Sequence, residues 1–178
     1  MKRRDLMAWA AIGGVGLVAG PARAQSLTWE EVAGPNGRYR LEMPKGYRHR
    51  TVPQAGRGTR QSYLIELGGN FAMELMIYDY EQNDQDRPPD DLYSQLLAAE
   101  SLVKRRWPGA RVLEQKDLQL GPAQGRGFVL AIDGGQKVLA ARIYYLNARL
   151  YEQVAIVPAA DRNSPVLARF MNSLSISS

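Results

Sequence analysis

The sequence predicts an α+β fold in which an antiparallel β-sheet of about six to seven strands is flanked by two main helices. Several runs of alternating side chains, rich in β-branched and aromatic residues, are separated by short turns, which is the pattern of antiparallel hairpins. Two segments, 92–107 and 166–174, instead repeat their apolar residues at helical spacing. A chain of 178 residues that is 45% hydrophobic and 23% charged suits one globular domain with its own core.

The clearest strand pair flanks Asn147-Ala148. Both flanking runs are rich in β-branched and aromatic residues, which predicts a β-hairpin with its turn at this dipeptide. Counting back from the turn places Tyr145 opposite Leu150, and we expect the face that carries this pair to be the core. The other face places Tyr144 opposite Tyr151, and we expect it to be half covered.

Two further hairpins are predicted closer to the N-terminus. Residues 27–33 and 38–43 flank one turn of glycine, proline and asparagine, and residues 61–67 and 71–80 flank another. Between the hairpins, segment 45–60 carries five basic residues, no acid and, after Tyr47, three glycine or proline breaks. We expect that segment to be an exposed loop.

Two segments begin and end as helices do. Asp90 precedes the apolar repeat 92–107 as an N-cap, and Pro108-Gly109 stops it. Ser164-Pro165 supplies an N-cap and a first-position proline for the repeat 166–174. We expect both helices to pack their apolar stripes against the sheet.

The region between the first helix and the central hairpin contains two more predicted strands. Residues 111–120 alternate, and residues 128–132 form a short apolar run. The glycine-rich segment 121–127 separates them and is expected to be a loop. It lacks the GxGxxG pattern of phosphate-binding loops and no lysine-serine pair follows it, so we interpret it as a plain turn.

The N-terminus has the organisation of an export signal. Lys2-Arg3-Arg4 precedes a mildly apolar run at 6–20, and Ala22-Arg23-Ala24 provides a small-x-small cleavage site. The apolar run is shorter than the ~20 residues that span a bilayer, which favours a cleaved signal over an anchor. The arginine pair resembles a twin-arginine signal, with the general secretory route as the alternative. We expect a signal peptide at 1–24, cleavage after Ala24, a single domain at 25–178 and a periplasmic location.

Composition excludes several kinds of site. The chain has no cysteine, which excludes disulfides, thiol catalysis and zinc–thiolate sites, and His49 is its one histidine. Residues 1–24 hold four basic residues and one acidic residue, so they account for +3 of the formal net charge of +5 and leave +2 for the rest. That small surplus gives little support for nucleic-acid binding. We expect no cofactor and no metal, although the acidic segment 79–91 leaves calcium as an alternative despite spacing that differs from an EF-hand.

Four motifs are spread over residues 25–178. They are Gly37-Arg38-Tyr39-Arg40-Leu41-Glu42-Met43-Pro44, Gly125-Arg126-Gly127-Phe128, Arg149-Leu150-Tyr151 and Phe170-Met171-Asn172-Ser173-Leu174. Together they resemble motifs of the PsbP/Mog-like group of α+β domains, and especially its small exported bacterial members. The resemblance implies an antiparallel sheet with helices on its faces, and binding or assembly rather than catalysis. It brings no catalytic residues, and fold analogy does not determine function.

We interpret the chain as a non-enzymatic binding or assembly module that meets an unknown protein or small-molecule partner in the periplasm. We expect no nucleic-acid partner and no stable membrane insertion after signal cleavage. The candidate contact residues are the aromatic side chains Trp29, Tyr144 and Tyr151, which are large and rigid, and the basic Arg48 and Arg50.

Two alternatives stay open. The acids of segment 79–91 suit a carboxylate-based hydrolase, because glycosidic chemistry needs only two carboxylates. The basic segment 45–60 suits an envelope-surface protein that binds anionic lipid.

Overall fold

The structure is a computed structural model, and it describes residues 27–53, 58–68, 70–80 and 105–177 together with the positions 94, 97, 100 and 101. Within these residues, ten strands form two antiparallel sheets. The strands are β1 (Trp29–Ala33), β2 (Tyr39–Pro44), β3 (Arg48–Pro53), β4 (Thr59–Glu66), β5 (Ala72–Asp79), β6 (Arg111–Leu120), β7 (Ala123–Ile132), β8 (Lys137–Leu146), β9 (Arg149–Pro158) and β10 (Ser175–Ile176). The larger sheet has the order β3-β4-β5-β9-β8-β7-β6, and the smaller sheet has the order β1-β2-β10.

The predicted hairpin lies at the centre of the larger sheet as β8 and β9. Its turn consists of Asn147 and Ala148, whose φ angles of 50° and 59° lie in the left-handed region that a two-residue hairpin turn requires. The register is the predicted one, with Tyr144 opposite Tyr151 and Tyr145 opposite Leu150. The sequence therefore predicted the central strand pairing correctly.

The predicted difference between the two hairpin faces is wrong. Tyr144 and Tyr151, placed on a half-covered face, are only 3% and 1% exposed. They belong to the larger core cluster together with Tyr39 of β2 and Phe170 of the C-terminal helix. The reason is that this helix and the smaller sheet both pack on that face, whereas Leu150 on the other face belongs to a smaller cluster.

The C-terminal helix runs from Pro165 to Asn172, as predicted. Ser164 is its N-cap, and the side chain of Ser164 accepts a hydrogen bond from the backbone N–H of Leu167 at 3.3 Å. Buried apolar side chains on one face of the helix attach it to the sheet. Within the described residues, no helix is long and apolar enough to cross a membrane.

The other predicted helix is described only in part. Positions 94, 97, 100, 101, 105 and 106 have helical backbone. The predicted N-cap, Asp90, and most of the apolar stripe lie outside the described residues. A second main helix over 92–107 therefore stays a prediction.

Two segments predicted as loops contain strands. Segment 45–60 contributes the edge strand β3, whose six side chains are all exposed as expected. An edge strand without a buried face has no apolar alternation, so periodicity did not reveal it. Segment 121–127 was expected to be a loop, but β7 begins at Ala123 and the turn is only Gly121-Pro122. Gly125 is a residue of strand β7, and the Tyr144 ring occupies the space beside it. A methyl group on Gly125 would lie 2.5 Å from that ring, which explains why the strand has a glycine there.

Candidate functional site

The face of the larger sheet that carries Glu74, Met76 and Val154, called the second face from here on, holds a cavity of about 580 Å³. This volume lies within the range of small-molecule sites, roughly 300–1,000 Å³. Apolar, acidic and basic side chains line it together. The described lining residues are Glu66, Gly68, Asn70, Phe71, Ala72, Met73, Glu74, Met76, Arg106, Trp107, Ile132, Asp133, Lys137, Val154 and Ile156.

The floor of the cavity is built by two paired central strands. Ala72 of β5 lies opposite Ile156 of β9, and Glu74 lies opposite Val154. Side chains of a strand alternate between the two faces, so these four residues and Met76 share the second face. The floor is therefore apolar with one carboxyl group in it.

The walls come from segments that are distant in the sequence. Phe71 belongs to the β4–β5 turn. Asp133 begins the β7–β8 turn, and Ile132 and Lys137 are the strand residues on its two sides. Trp107 follows the last helical residues before β6 and adds an aromatic ring. An apolar ligand in this cavity would therefore contact three separate parts of the chain.

Glu74 is the buried acid of the cavity floor. The residue is 8% exposed, and its carboxylate accepts a hydrogen bond of 2.6 Å from the hydroxyl of Ser62. Burial raises the pKa of Glu74, while the Ser62 hydrogen bond and the charges of Arg106 and Arg60 oppose the rise. The hydration that the Glu74 carboxylate loses on burial is therefore only partly replaced by the Ser62 hydrogen bond and the two arginine charges.

A second acid, Glu152 of β9, lies on the same face. It pairs with Met76 in the sheet and is 3% exposed. Burial raises the pKa of Glu152 to about 7; the charge of Glu74 adds to the rise, and Arg106 and Arg60 oppose it. Two buried carboxyls thus share this part of the sheet with two guanidinium groups.

Three of the other four charged residues in the described lining form local ion pairs. Glu66 pairs with Arg48 at 3.1 Å, and Asp133 pairs with Lys137 at 2.9 Å. Within the described residues, no group of three or more histidine, cysteine, aspartate or glutamate side chains is placed to hold a metal ion. The described lining offers apolar contact, the aromatic rings of Phe71 and Trp107, and a buried carboxyl group.

The predicted aromatic contact residues do not form a common site. Tyr144 and Tyr151 are core residues, so a partner cannot reach their rings in the folded protein. Trp29 is partly buried on β1, where the guanidinium of Arg169 lies 4.6 Å from the centre of its ring. A second cavity of about 360 Å³ lies beside the C-terminal helix, and none of these three aromatic residues is among its described lining.

The predicted basic contact residues are exposed. Arg48 and Arg50 lie on β3, and Arg50 pairs in the sheet with Ser62, whose hydroxyl reaches Glu74. Both arginines therefore lie on the second face, at the edge of the sheet. Of the predicted acidic segment, Asp79 forms an ion pair of 3.1 Å with Arg149, and residues 81–91 lie outside the described part of the chain. The calcium and hydrolase alternatives concern mainly those residues.

Sequence reasoning placed Glu74 and Glu152 on the correct strands but did not identify them as functional candidates. For Glu152, the available signal was a glutamate inside a mostly apolar and aromatic strand, on the face expected to be the core. A charged residue at such a position is costly without a partner. Such a residue therefore marks a candidate functional position, because packing alone would favour an apolar side chain there.

Comparisons with known proteins show a likeness of fold. No protein-family model matches the sequence, and no curated protein matches it. The structure is similar to that of the cyanobacterial PsbP protein CyanoP from Synechocystis, with a TM-score of 0.53 and 12% sequence identity over 93% of this chain and 100% of that one. It is also similar to the Ran-binding protein Mog1p of Saccharomyces cerevisiae, with a TM-score of 0.47 and 14% identity over 85% of this chain and 96% of that one. A third similar structure is a Pseudomonas aeruginosa protein of unknown function, with a TM-score of 0.48 and 11% identity over 84% of this chain and 98% of that one.

The likeness to CyanoP confirms the PsbP-like fold that the sequence motifs imply. At 12% identity it concerns the fold alone. Any function must therefore be argued from the cavity and the residues around it.

Proposed function

We propose that this chain is an exported, non-enzymatic binding module that holds a small ligand with an apolar body in the cavity of the second face. The observation that carries the proposal is the cavity of about 580 Å³ over paired residues of the central strands β5 and β9. Its floor and walls combine Met76, Val154, Ile156, Phe71 and Trp107. Apolar linings with a few polar groups are typical of ligand sites.

The apolar surface that a ligand buries in the cavity limits the strength of binding. A ligand that buries about 200 Å² of apolar surface gains about 5 kcal/mol at roughly 25 cal/mol per Å². This gain is an upper limit on the binding free energy, because association also costs translational and rotational freedom, so the dissociation constant should be roughly 0.2 mM or weaker. Binding should therefore be measurable at ligand concentrations that leave the protein folded.

Tryptophan fluorescence tests the proposal directly. Residues 25–178 contain two tryptophans, so Trp29→Phe leaves Trp107 of the cavity wall as the only one. Titration of this variant with 1-octanol should shift the Trp107 emission in a saturable manner, because the ligand replaces water next to the ring.

The control is a pair of matched substitutions in that background. Ala72→Leu adds three carbons on the cavity floor and should weaken the octanol effect, whereas Ala33→Leu makes the same change at an exposed position of β1 and should not. Circular dichroism checks that both variants fold. A non-saturable response, or one that Ala72→Leu leaves unchanged, would exclude the cavity as the site.

The export part of the proposal rests on the sequence of residues 1–24, with its arginine pair, short apolar run and Ala-x-Ala ending. In this proposal the domain 25–178 works in the periplasm after cleavage. Its ligand or partner must then be a molecule of that compartment.

A second candidate function is contact with anionic lipid through β3. The observation that favours it is that all six side chains of this edge strand are exposed. Each basic residue near an anionic membrane contributes about 1 kcal/mol. Arg50→Glu should reduce the fraction of protein that sediments with anionic phosphatidylglycerol vesicles. It should leave the fraction that sediments with phosphatidylcholine vesicles unchanged. Lys116→Glu on the opposite edge strand β6 is the control, and equal losses in both variants would argue against a β3 site.

A further inference from the structure

We propose that the cavity of the second face selects ligands that carry a positive charge next to an apolar chain, such as alkylammonium ions, and that Glu74 is the counter-ion of that charge. This inference rests on the proposed binding function and adds the charge of the ligand. It follows from the position of Glu74 in the floor and from the balance of charges around it.

Glu74 lies where a bound ligand would contact it. Its neighbours on the floor are Met76, Val154 and Ile156, which offer the carboxylate no hydrogen bond from their side chains. Ser62 supplies one hydrogen bond of 2.6 Å from the β4 side. A carboxylate has room for about four hydrogen bonds, so the side of Glu74 that faces the cavity can accept a donor from a ligand.

Among the described residues, the charges that face Glu74 come from three elements. Glu152 lies on β9, Arg60 on β4 and Arg106 at the end of the helical segment. Burial still raises the pKa of both glutamates, because the two guanidinium groups compensate only part of the lost hydration. An added cation therefore lowers the free energy of the charged Glu74, and an added anion raises it.

The other charged residues of the described lining do not reverse the preference for a cation. Glu66 and Asp133 already pair with Arg48 and Lys137. Arg106 is exposed, so water and salt screen its repulsion of a bound cation, whereas the attraction to Glu74 acts in a buried, less polar environment.

Trp107 adds a second attraction for a cation. Its ring lines the same cavity, and the face of an aromatic ring attracts ammonium groups, including those with methyl substituents. Glu74, Trp107 and the aliphatic floor together match a ligand that has a cationic head and an apolar chain. A carboxylate head in the same place would lie against Glu74.

Three probes with the same chain length separate charge from apolar contact. Octylammonium, 1-octanol and octanoate are titrated into the Trp29→Phe protein at pH 7.5, and Trp107 emission reports binding. We expect octylammonium to bind about tenfold more tightly than 1-octanol, because a hydrogen bond to a charged group is worth that factor or more. We expect octanoate to bind most weakly.

Glu74→Gln tests the residue itself. The variant keeps the shape and an acceptor for Ser62 but removes the charge, so octylammonium should lose its advantage while the affinity for 1-octanol stays the same. Glu31→Gln is the matched control, because Glu31 is an exposed acid of β1 that lies outside the cavity and pairs with Arg40 at 3.5 Å. It should leave the ratio of the two affinities unchanged.

The pH dependence gives an independent readout. Protonation of Glu74 removes the counter-charge, so the affinity for octylammonium should fall as the pH is lowered through the raised pKa of Glu74, and the affinity for 1-octanol should not. Glu74→Gln should weaken this dependence more than Glu152→Gln does, because Glu152 titrates on the same face but is not among the described residues that line the cavity.

The outcomes separate the two proposals. If 1-octanol binds but octylammonium is no tighter, or if Glu74→Gln leaves the ratio unchanged in folded protein, the charge preference is overturned and the binding function stands. If none of the three probes changes Trp107 emission, both proposals are wrong. The ratio in the Trp29→Phe protein decides the charge preference even if Glu74→Gln does not fold.

Discussion

Replacing Glu152 with glutamine should change the pH dependence of stability. Burial raises the pKa of this carboxyl from 4.5 to about 7 in the folded protein. The unfolded chain therefore releases the proton near pH 4.5 and the folded chain near pH 7. Between these values the folded state binds more protons than the unfolded state, so the stability of the protein falls as the pH rises.

The magnitude follows from the size of the shift. Each pKa unit corresponds to about 1.4 kcal/mol, so the rise from 4.5 to about 7 costs about 3 kcal/mol of stability above pH 7 and almost nothing at pH 4. Glu152→Gln removes this titration. The free energy of unfolding of the variant, relative to the unsubstituted protein, should therefore rise by about 3 kcal/mol between pH 4 and pH 8.

Urea unfolding of both proteins at pH 4 and pH 8 measures the difference. Comparing each variant with the unsubstituted protein at the same pH removes the contributions of other titrating groups. Glu66→Gln is the control, because this exposed acid forms a surface ion pair with Arg48 worth about 0–1 kcal/mol. A relative stability of Glu152→Gln that does not change with pH would refute the reasoning that the carboxyl is buried without full compensation.

Three further predictions concern the core, the helix and export. Tyr151→Ala should destabilise the protein by roughly 3–5 kcal/mol in chemical denaturation, because the ring is buried; a loss below about 1 kcal/mol would contradict its core position. Ser164→Ala should cost about 1 kcal/mol in the same assay through loss of the N-cap hydrogen bond, and an unchanged midpoint would argue against that cap. N-terminal sequencing of periplasmic protein should begin at Gln25, and replacing Arg3 and Arg4 with lysine should block export by the twin-arginine route; unaffected secretion would exclude that route.

The central hairpin could be predicted to the residue because local chemistry determines it. Asn147-Ala148 interrupts two β-rich runs, and a two-residue turn leaves one register for the strands. Which face of the hairpin is more deeply covered could not be predicted in the same way. That depends on the smaller sheet, whose strand β10 is only Ser175–Ile176 and is too short to show any periodicity.

A glycine inside a strand was also wrongly predicted to belong to a loop. Gly125 has the composition of a loop, but its missing side chain leaves space for the Tyr144 ring on the neighbouring strand. Tyr144 lies 19 positions further along the chain, and only the folded structure shows that the two residues meet. Composition alone cannot distinguish a turn from a close approach.

The candidate site could be predicted only in part. Glu74 and Glu152 lie in segments that were correctly predicted to be strands, because alternation of side chains reveals a strand. The cavity above Glu74 depends on Phe71, Ile132 and Trp107, which lie in three separate segments. Long-range contacts of that kind leave no local pattern in a single sequence.

Methyl NMR of the methionines tests most directly whether the ligand occupies the cavity of the second face. Residues 25–178 contain four methionines, of which Met73 and Met76 line that cavity, Met171 lines the second cavity beside the C-terminal helix, and Met43 is a core residue of the smaller sheet. With ¹³C-methyl methionine, titration with octylammonium should move the Met76 signal and leave those of Met171 and Met43 in place. Movement of Met171 without Met76, or no movement at saturating ligand, would contradict the account.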